Sequence, residues 1–251
     1  MKKGQVTLFV ILGIVVLAVV GLGIYFRESL IQQTTEAQQA EKALVQPEVQ
    51  QIYDHVFYCM DKTAKESMTL IGLQGGYYQP PENSIPIEGE GISIAIGYDR
   101  GDSKLPSLEG IRAEMETYVN AMLPECVDLS QFEGFTFTQS RPIAKIEILD
   151  YSVKFEVSYP ITAKKAETTY SLDKPSKISY LVRLKRIHEV SQKIINKEIN
   201  DPSTIDVNYM LDLGIDIDVL PVEEGQVVYL LTDDESKLDD MPYVFMFGNR
   251  F

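Results

Sequence analysis

The chain has 251 residues, of which 45% are hydrophobic and 24% are charged, and its formal net charge is −14. This length can bury a sizeable core, and the composition excludes wholesale disorder. The first 27 residues hold three basic side chains and no acid, so 20 basic and 37 acidic side chains remain and residues 28–251 carry −17. Such a surface repels phosphate backbones, and we expect no nucleic-acid partner.

The N-terminal segment is the most apolar part of the sequence. Residues 6–26 form an uncharged run of 21 residues that is rich in Val, Ile and Leu. A helix of about 20 residues crosses a hydrocarbon layer of about 30 Å, so the run predicts a transmembrane helix with the lipid bilayer as its partner. Lys2 and Lys3 precede the run and favour a cytoplasmic N-terminus, with the main domain outside the cell membrane.

A cleaved secretion signal is an alternative interpretation of the same segment. Signal peptides have an apolar core of about 7–15 residues and a small-residue cleavage site. The end of the run reads AVVGLGIYF and contains no A-x-A pattern. The length of the run therefore favours a retained, single-pass anchor.

A third interpretation rests on the sequence Lys2-Lys3-Gly4-Gln5-Val6-Thr7. Over residues 1–25 this opening resembles the leader of archaeal type IV pilin-like proteins. It is also similar to the start of uncharacterised archaeal single-pass membrane proteins. The pilin resemblance implies cleavage between Gly4 and Gln5 by a prepilin-type peptidase. Pilins usually carry Glu at the fifth mature position, where this chain has Phe9, so a plain anchor ranks ahead of a filament subunit.

The sequence predicts four segments in chain order. Residues 1–5 form a cytoplasmic basic leader, residues 6–26 the transmembrane helix, residues 27–47 a helical stalk and residues 48–251 an extracytoplasmic domain. The stalk lacks Gly and Pro until Pro47, where a helix ends or kinks. Apolar residues then recur at helical spacing from Val49 to Ile71, and the Gly-rich stretch from Gly72 to Gly76 predicts the helix end.

The rest of the domain alternates between strand and helix patterns. We predict strands at 92–98, 135–138, 143–149, 153–161, 166–172, 215–220, 226–232 and 243–247. We predict helices from Ser107 to Pro124, at 184–199 and at 204–213. The residues ISYLVRL before the helix at 184 also fit a strand. Runs of strands punctuated by helices favour an α+β fold, with a mixed, largely antiparallel sheet and packed helices.

Cys59 and Cys126 are the only two cysteines. An even pair in an extracytoplasmic domain is most simply a disulfide. Two buried free thiols are the alternative. The two cysteines are far apart in sequence and no Cys-x-x-Cys pair occurs, so we predict no metal site.

The sequence offers no catalytic signature. His55 and His188 are the only histidines, and each is better explained as a structural side chain than as a catalytic base. No nucleophile elbow, zinc-protease motif or phosphate loop occurs. We therefore predict no enzymatic activity, no catalytic residue and no cofactor.

Acidic residues supply the remaining candidates. The densest run contains Asp233, Asp234, Glu235, Asp239 and Asp240, lacks the EF-hand spacing and predicts a solvated turn between two strands. A second set could line a ligand pocket, and it comprises Glu88, Glu90, Asp99 and Asp102.

These features lead to three functional hypotheses. The first is a membrane-anchored extracytoplasmic protein with a structural, adhesive or assembly role at the cell envelope, which associates with itself or with other envelope proteins; a pilin-like subunit is its variant. The second is a tethered enzyme or ligand-binding module. The third is a secreted protein released by signal cleavage.

Overall fold

The structure is a computed structural model, and it describes residues 47–251 except 88, 90 and 203. The chain divides into two compact units, residues 1–50 and residues 51–251. Of the first unit only residues 47–50 are described, and Pro47–Val49 form a 3-10 turn.

The described residues form four α-helices and thirteen strands. The helices are α1 (Gln50–Leu73), α2 (Leu108–Cys126), α3 (Leu184–Asn200) and α4 (Val207–Leu211). The strands are β1 (Ile85–Ile87), β2 (Ile92–Ile94), β3 (Ile96–Asp99), β4 (Asp102–Ser103), β5 (Thr136–Gln139), β6 (Ile143–Ile148), β7 (Val153–Ser158), β8 (Ile161–Lys165), β9 (Thr168–Leu172), β10 (Ser176–Tyr180), β11 (Asp216–Glu223), β12 (Gln226–Leu238) and β13 (Met241–Arg250).

The strands form four sheets. The largest has the order β11-β12-β13-β3-β4, two have three strands in the orders β10-β7-β6 and β5-β8-β9, and β1 pairs with β2 alone. Within the described residues every pairing is antiparallel except that of β13 with β3. The antiparallel pairs are mostly neighbours in sequence, because short turns can join them.

The two faces of the five-stranded sheet are covered differently. On one face, Tyr243 of β13 donates a hydrogen bond from its hydroxyl to the Met68 carbonyl of α1, at 3.0 Å. The other face packs against the β1–β2 hairpin in a cluster of five buried side chains: Ile85, Ile94, Ile96, Val228 and Met246. This burial on both sides explains why β12 and β13 contain long apolar runs instead of a simple alternation.

Helix α2 covers one edge of the β10-β7-β6 sheet. The N–H groups of Ala144 and Ile146 in β6 donate hydrogen bonds to Asn120 Oδ1 at 2.8 Å and to Glu116 Oε1 at 3.0 Å. These side chains of α2 occupy backbone donors that would otherwise be open to another strand. This edge of the sheet is therefore closed by side chains.

The structure joins Cys59 of α1 to Cys126 at the end of α2 in a disulfide, with the two Cα atoms 5.6 Å apart. The prediction of a bonded cysteine pair is confirmed. The bond closes a loop with a sequence separation of 67 residues. In the chain-entropy account, such a loop stabilises the folded state by about 4 kcal/mol.

The predicted fold class needs correction. The described part of the chain is largely β, and its strands are distributed over four sheets instead of one. None of the α-helices in that part is long and apolar enough to span a bilayer. The predicted transmembrane helix at 6–26 lies outside the described residues, as do residues 27–46 of the stalk predicted at 27–47. The last residue of that stalk, Pro47, belongs to a 3-10 turn.

The predicted bounds of two strands were wrong, because each predicted strand is interrupted within its range. The predicted strand 153–161 is interrupted at Tyr159 and Pro160, since Pro cannot donate a ladder hydrogen bond, and β7 and β8 consequently belong to different sheets. The predicted strand 92–98 is likewise split into β2 and β3. Strands β6 and β7, both predicted, form an antiparallel hairpin with Ile148 opposite Val153.

Close packing of α1 against β13 depends on Gly72. A Cβ atom at this position would overlap the Val244 carbonyl oxygen and lie 2.9 Å from Tyr243 Oη. Two glycines beyond the helix, Gly75 and Gly76, have φ angles of 70° and 96°, which side chains with a Cβ rarely adopt. The Gly-rich stretch therefore serves both contact and chain reversal.

We expect Gly72→Ala to lower the free energy of unfolding by about 1–3 kcal/mol, because the added methyl group must displace β13. Gly110→Ala in α2 is the matched control, since its Cβ would meet no atom closer than 3.5 Å and alanine favours the helix by up to about 1 kcal/mol. Urea denaturation of both variants measures the difference. Equal effects would contradict the close contact.

Candidate functional site

The main candidate site is a cavity of about 320 Å³ at the start of β11. Its walls come from α4, from the first residues of β11 and from β12 where that strand continues beyond β11. The floor contains apolar side chains of α4, of β11 and of the residue before β11, namely Met210, Ile217 and Ile215. We call this feature the acidic cavity, because carboxylates form much of its remaining lining.

A buried ion pair forms one wall of the acidic cavity. Arg183, which precedes α3, donates from Nε to Asp233 Oδ2 at 3.0 Å and from Nη2 to Asp233 Oδ1. Asp233 is 2% exposed, whereas the Arg183 side chain is 17% exposed. Such a two-point contact between a guanidinium and a carboxylate fixes the orientation of both groups.

Two further groups complete this polar cluster. Ser236 donates its hydroxyl to Asp233 Oδ2 and accepts the backbone N–H of Arg183 at 2.8 Å. Arg183 Nη1 also donates to Glu235 Oε2 at 2.6 Å. The cluster thus ties the start of α3 to the irregular stretch of β12, where the register with β13 shifts between Asp233 and Lys237.

The electrostatics of this cluster follow from its geometry. Burial raises the pKa of Asp233, but the hydrogen bonds from Arg183 and Ser236 outweigh burial, and the pKa lies below its ordinary value of 3.8. The same contact with Asp233 raises the pKa of the Arg183 guanidinium. Both groups are therefore charged across the physiological range.

The cavity retains a surplus of negative charge. Its charged lining consists of one guanidinium, Arg183, and four carboxylates, those of Asp216, Asp233, Asp234 and Glu235, which gives a formal balance of −3. Asp216 and Asp234 are exposed at the rim. An apolar floor with an acidic rim suits a cation on an aliphatic stem.

The structure corrects the interpretation of the acidic run. Asp233, Asp234 and Glu235 belong to β12, and the turn between β12 and β13 contains only Asp239 and Asp240, with φ angles of 49° and 67°. The predicted solvated turn is thus wrong for Asp233, which is buried against Arg183. Sequence reasoning missed this role because the partner lies 50 residues away.

The other acidic candidates do not come together in a described cavity. Glu88 and Glu90 lie outside the described residues. Asp99 and Asp102 are opposite each other in the β3–β4 pair, and exposed Asp102 contacts Lys104 at 3.2 Å. Among the described residues, no group of three or more His, Cys, Asp or Glu side chains could hold a metal ion.

The two histidines have structural contacts. His188 of α3 is 3% exposed, and its Nε2 lies 2.8 Å from the Pro106 carbonyl. Burial lowers the pKa of His188, against the opposing effect of that hydrogen bond. His55 of α1 is half-buried, beside Phe132 with ring centroids 5.7 Å apart. The predicted leader cleavage at Gly4 and Gln5 lies outside the described residues.

A second polar cluster lies inside the core, between α3 and the large sheet. Glu198 is 1% exposed and accepts hydrogen bonds from the Tyr229 hydroxyl and the Asn249 amide. Burial raises the pKa of Glu198, and the two hydrogen bonds only partly oppose this effect. The position of Glu198 on an otherwise amphipathic helix gave no signal in the sequence that it would be buried.

No family model, curated protein or solved structure matches this chain.

We expect Asp233→Asn to lower the free energy of unfolding by about 3 kcal/mol, because it leaves the Arg183 guanidinium partly buried without its main counter-charge. Glu156→Gln is the matched control, since Glu156 and its partner Lys177 are 44% and 74% exposed and such pairs contribute less than about 1 kcal/mol. Denaturation at neutral pH compares the two. A loss no larger than that of the control would rule out the structural role of Asp233.

The raised pKa of the buried Glu198 carboxyl makes the stability of the fold depend on pH. Because its folded pKa lies above the ordinary value of 4.5, the folded state retains a proton that the unfolded state releases, and the contribution of Glu198 to stability falls as pH rises above about 4.5. Glu198→Gln should reduce this fall, since the neutral amide has no proton to release. Urea denaturation from acidic to neutral pH, with Glu156→Gln as the control, measures the slope. A slope unchanged from the wild type would exclude Glu198 as its source.

Proposed function

We propose that this chain is a membrane-attached protein of the cell envelope, with its β-rich domain on the extracytoplasmic side and a structural, adhesive or assembly role. The disulfide between Cys59 and Cys126 is the observation that carries the proposal. Structural disulfides form and persist in oxidising compartments and are rare in the cytosol. A domain in which a disulfide connects two of its main helices is suited to the outside of the cell.

The sequence supplies the support for membrane attachment. The uncharged residues 6–26 follow Lys2 and Lys3, and this charge arrangement favours an N-terminus on the cytoplasmic side. In this proposal a pilin-like filament subunit is the processed form, cut between Gly4 and Gln5. The bilayer, further copies of the chain and other envelope proteins are the proposed partners.

The acidic surface favours proteins as partners over nucleic acids and anionic lipids. The formal charge of −14 opposes binding to nucleic acids and docking of the domain on anionic lipid. We propose no enzymatic reaction and no cofactor.

A ligand-binding module is the second candidate function, and the acidic cavity favours it. Its volume of about 320 Å³ lies at the small end of the range for ligand sites. A small cation that raises the melting temperature of the full chain, by an amount that grows with its concentration, would support this alternative.

The proposed location predicts the state of the two cysteines and of the N-terminus in the source cells. A membrane-impermeant thiol reagent should label neither cysteine before reduction and both after reduction and unfolding, because Cys59 is fully buried and bonded. Mass spectrometry should find an N-terminus at Met1 or at Gln5, and the chain should be in the membrane fraction.

Two results would contradict the proposal. Reactive thiols on both cysteines in a chain recovered from the cytosol would exclude the oxidising compartment. An N-terminus beyond residue 20 would remove the segment that attaches the chain to the membrane, and would favour the secreted form.

A further inference from the structure

Positive charge is concentrated in one part of this acidic protein. The stretch from β5 to β10, residues 136–180, contains seven basic and five acidic side chains, a formal balance of +2. The rest of the chain therefore carries −16. The two kinds of charge are separated along the fold, because residues 136–180 build the two three-stranded sheets while the acidic cavity lies at the five-stranded sheet.

The β8–β9 hairpin presents the clearest basic tip. Lys164 and Lys165 are exposed at the end of β8, and Lys165 lies opposite Thr168 across a turn in which Ala166 has a φ angle of 53°. Lys165 Nζ lies 5.0 Å from the centre of the Phe135 ring, whereas Lys164 takes part in no ion pair within the described part of the chain. A short hairpin whose tip carries an exposed, unpaired ammonium group can insert that tip into a cavity on another protein.

The acidic cavity has the complementary chemistry. Its balance of −3 attracts an ammonium group, and its floor of Met210, Ile215 and Ile217 can pack against the methylene stem of a lysine. Val207 and Leu211 of α4 also line the cavity, and they are 57% and 76% exposed. The cavity therefore offers apolar contacts that a free cation would not use.

We propose that the occupant of the acidic cavity is the β8–β9 hairpin of a second copy of this chain, with Lys164 in the cavity and Lys165 at its rim. This inference rests on the proposed assembly role and deepens it by naming the partner and the contact. Because the hairpin and the cavity are different surfaces of one molecule, the contact is heterologous, and its repetition produces an open head-to-tail chain of subunits.

Electrostatics favours this arrangement over a symmetric one. A symmetric contact through the acidic cavity would place carboxylates of two copies against each other, which is unfavourable. The net charge of −14 opposes random association, but the screening length is about 8 Å at physiological ionic strength. At contact distance the local pairing of lysines with carboxylates therefore outweighs the repulsion of remote charges.

Charge reversal on either side tests the contact in the full-length chain, in detergent that is density-matched for sedimentation equilibrium. We expect the wild type to associate and both Lys164→Glu/Lys165→Glu and Asp216→Lys/Asp234→Lys to raise the dissociation constant at least about tenfold, since each removes two exposed charge pairs and introduces repulsion. All four side chains are exposed, so the fold should tolerate them.

Two complementation experiments make the test specific. An equal mixture of the two variants should associate with the two variants alternating, because the intact hairpin of one meets the intact cavity of the other and the reversed hairpin meets the reversed cavity. A chain with all four reversals should associate again, because both surfaces have exchanged sign. The matched controls are Lys62→Glu/Lys193→Glu and Glu82→Lys/Glu125→Lys, which change the net charge equally at exposed positions elsewhere and should leave association unchanged.

Several results would overturn the proposal. The wild type could be monomeric, or the variants could associate as tightly as the wild type. The control variants could weaken association as much as the test variants, or the chain with all four reversals could fail to associate. A monomeric wild type that binds a synthetic peptide of alternating lysine and valine would assign the cavity to a different basic protein. If Asp216→Lys/Asp234→Lys fails to fold, Lys164→Glu/Lys165→Glu and its control Lys62→Glu/Lys193→Glu still test the contact. Thiol labelling does not depend on association, so the proposed location is tested separately.

Discussion

The ion pair between Arg183 and Asp233 is the interaction on which the candidate site depends. Asp233 is almost fully buried, and a buried carboxylate requires a counter-charge and hydrogen bonds to stay ionised. Arg183 and Ser236 supply both, and in doing so they fix the start of α3 against β12. The irregular stretch of β12 is therefore held in place, and the exposed carboxylates beside it surround a cavity instead of a flexible turn.

The disulfide and the polar cluster act at different places in the fold. Cys59 and Cys126 connect α1 to α2, while Arg183 connects α3 to the large sheet. The helices are thus attached by covalent and electrostatic contacts as well as by apolar burial. This combination suits a domain that must remain folded in an oxidising compartment without chaperones of the cytosol, as the proposed envelope role requires.

The basic residues 136–180 and the acidic remainder of the chain give the protein two regions of opposite charge, which the net charge alone does not reveal. A chain with a balance of −14 would be expected to repel its own copies. In the proposed contact, the basic hairpin of β8 and β9 and the acidic cavity are complementary surfaces of two copies. Directional contacts of this kind favour ordered assembly over aggregation, since contacts between two acidic surfaces are unfavourable.

By itself the sequence determined the local features of this protein. The alternation in β7 and the helical spacing in α1 follow from patterns within short windows, and the expected disulfide follows from the count of two cysteines. Tertiary structure alone decided how the strands were divided among four sheets, that Asp233 is buried rather than solvated, and that Glu198 lies in the core. These outcomes depend on contacts between residues tens of positions apart, such as Arg183 with Asp233 and Glu198 with Asn249. No local pattern encodes such contacts, because the free energy of burying a charge is set by the partner that folding brings to it.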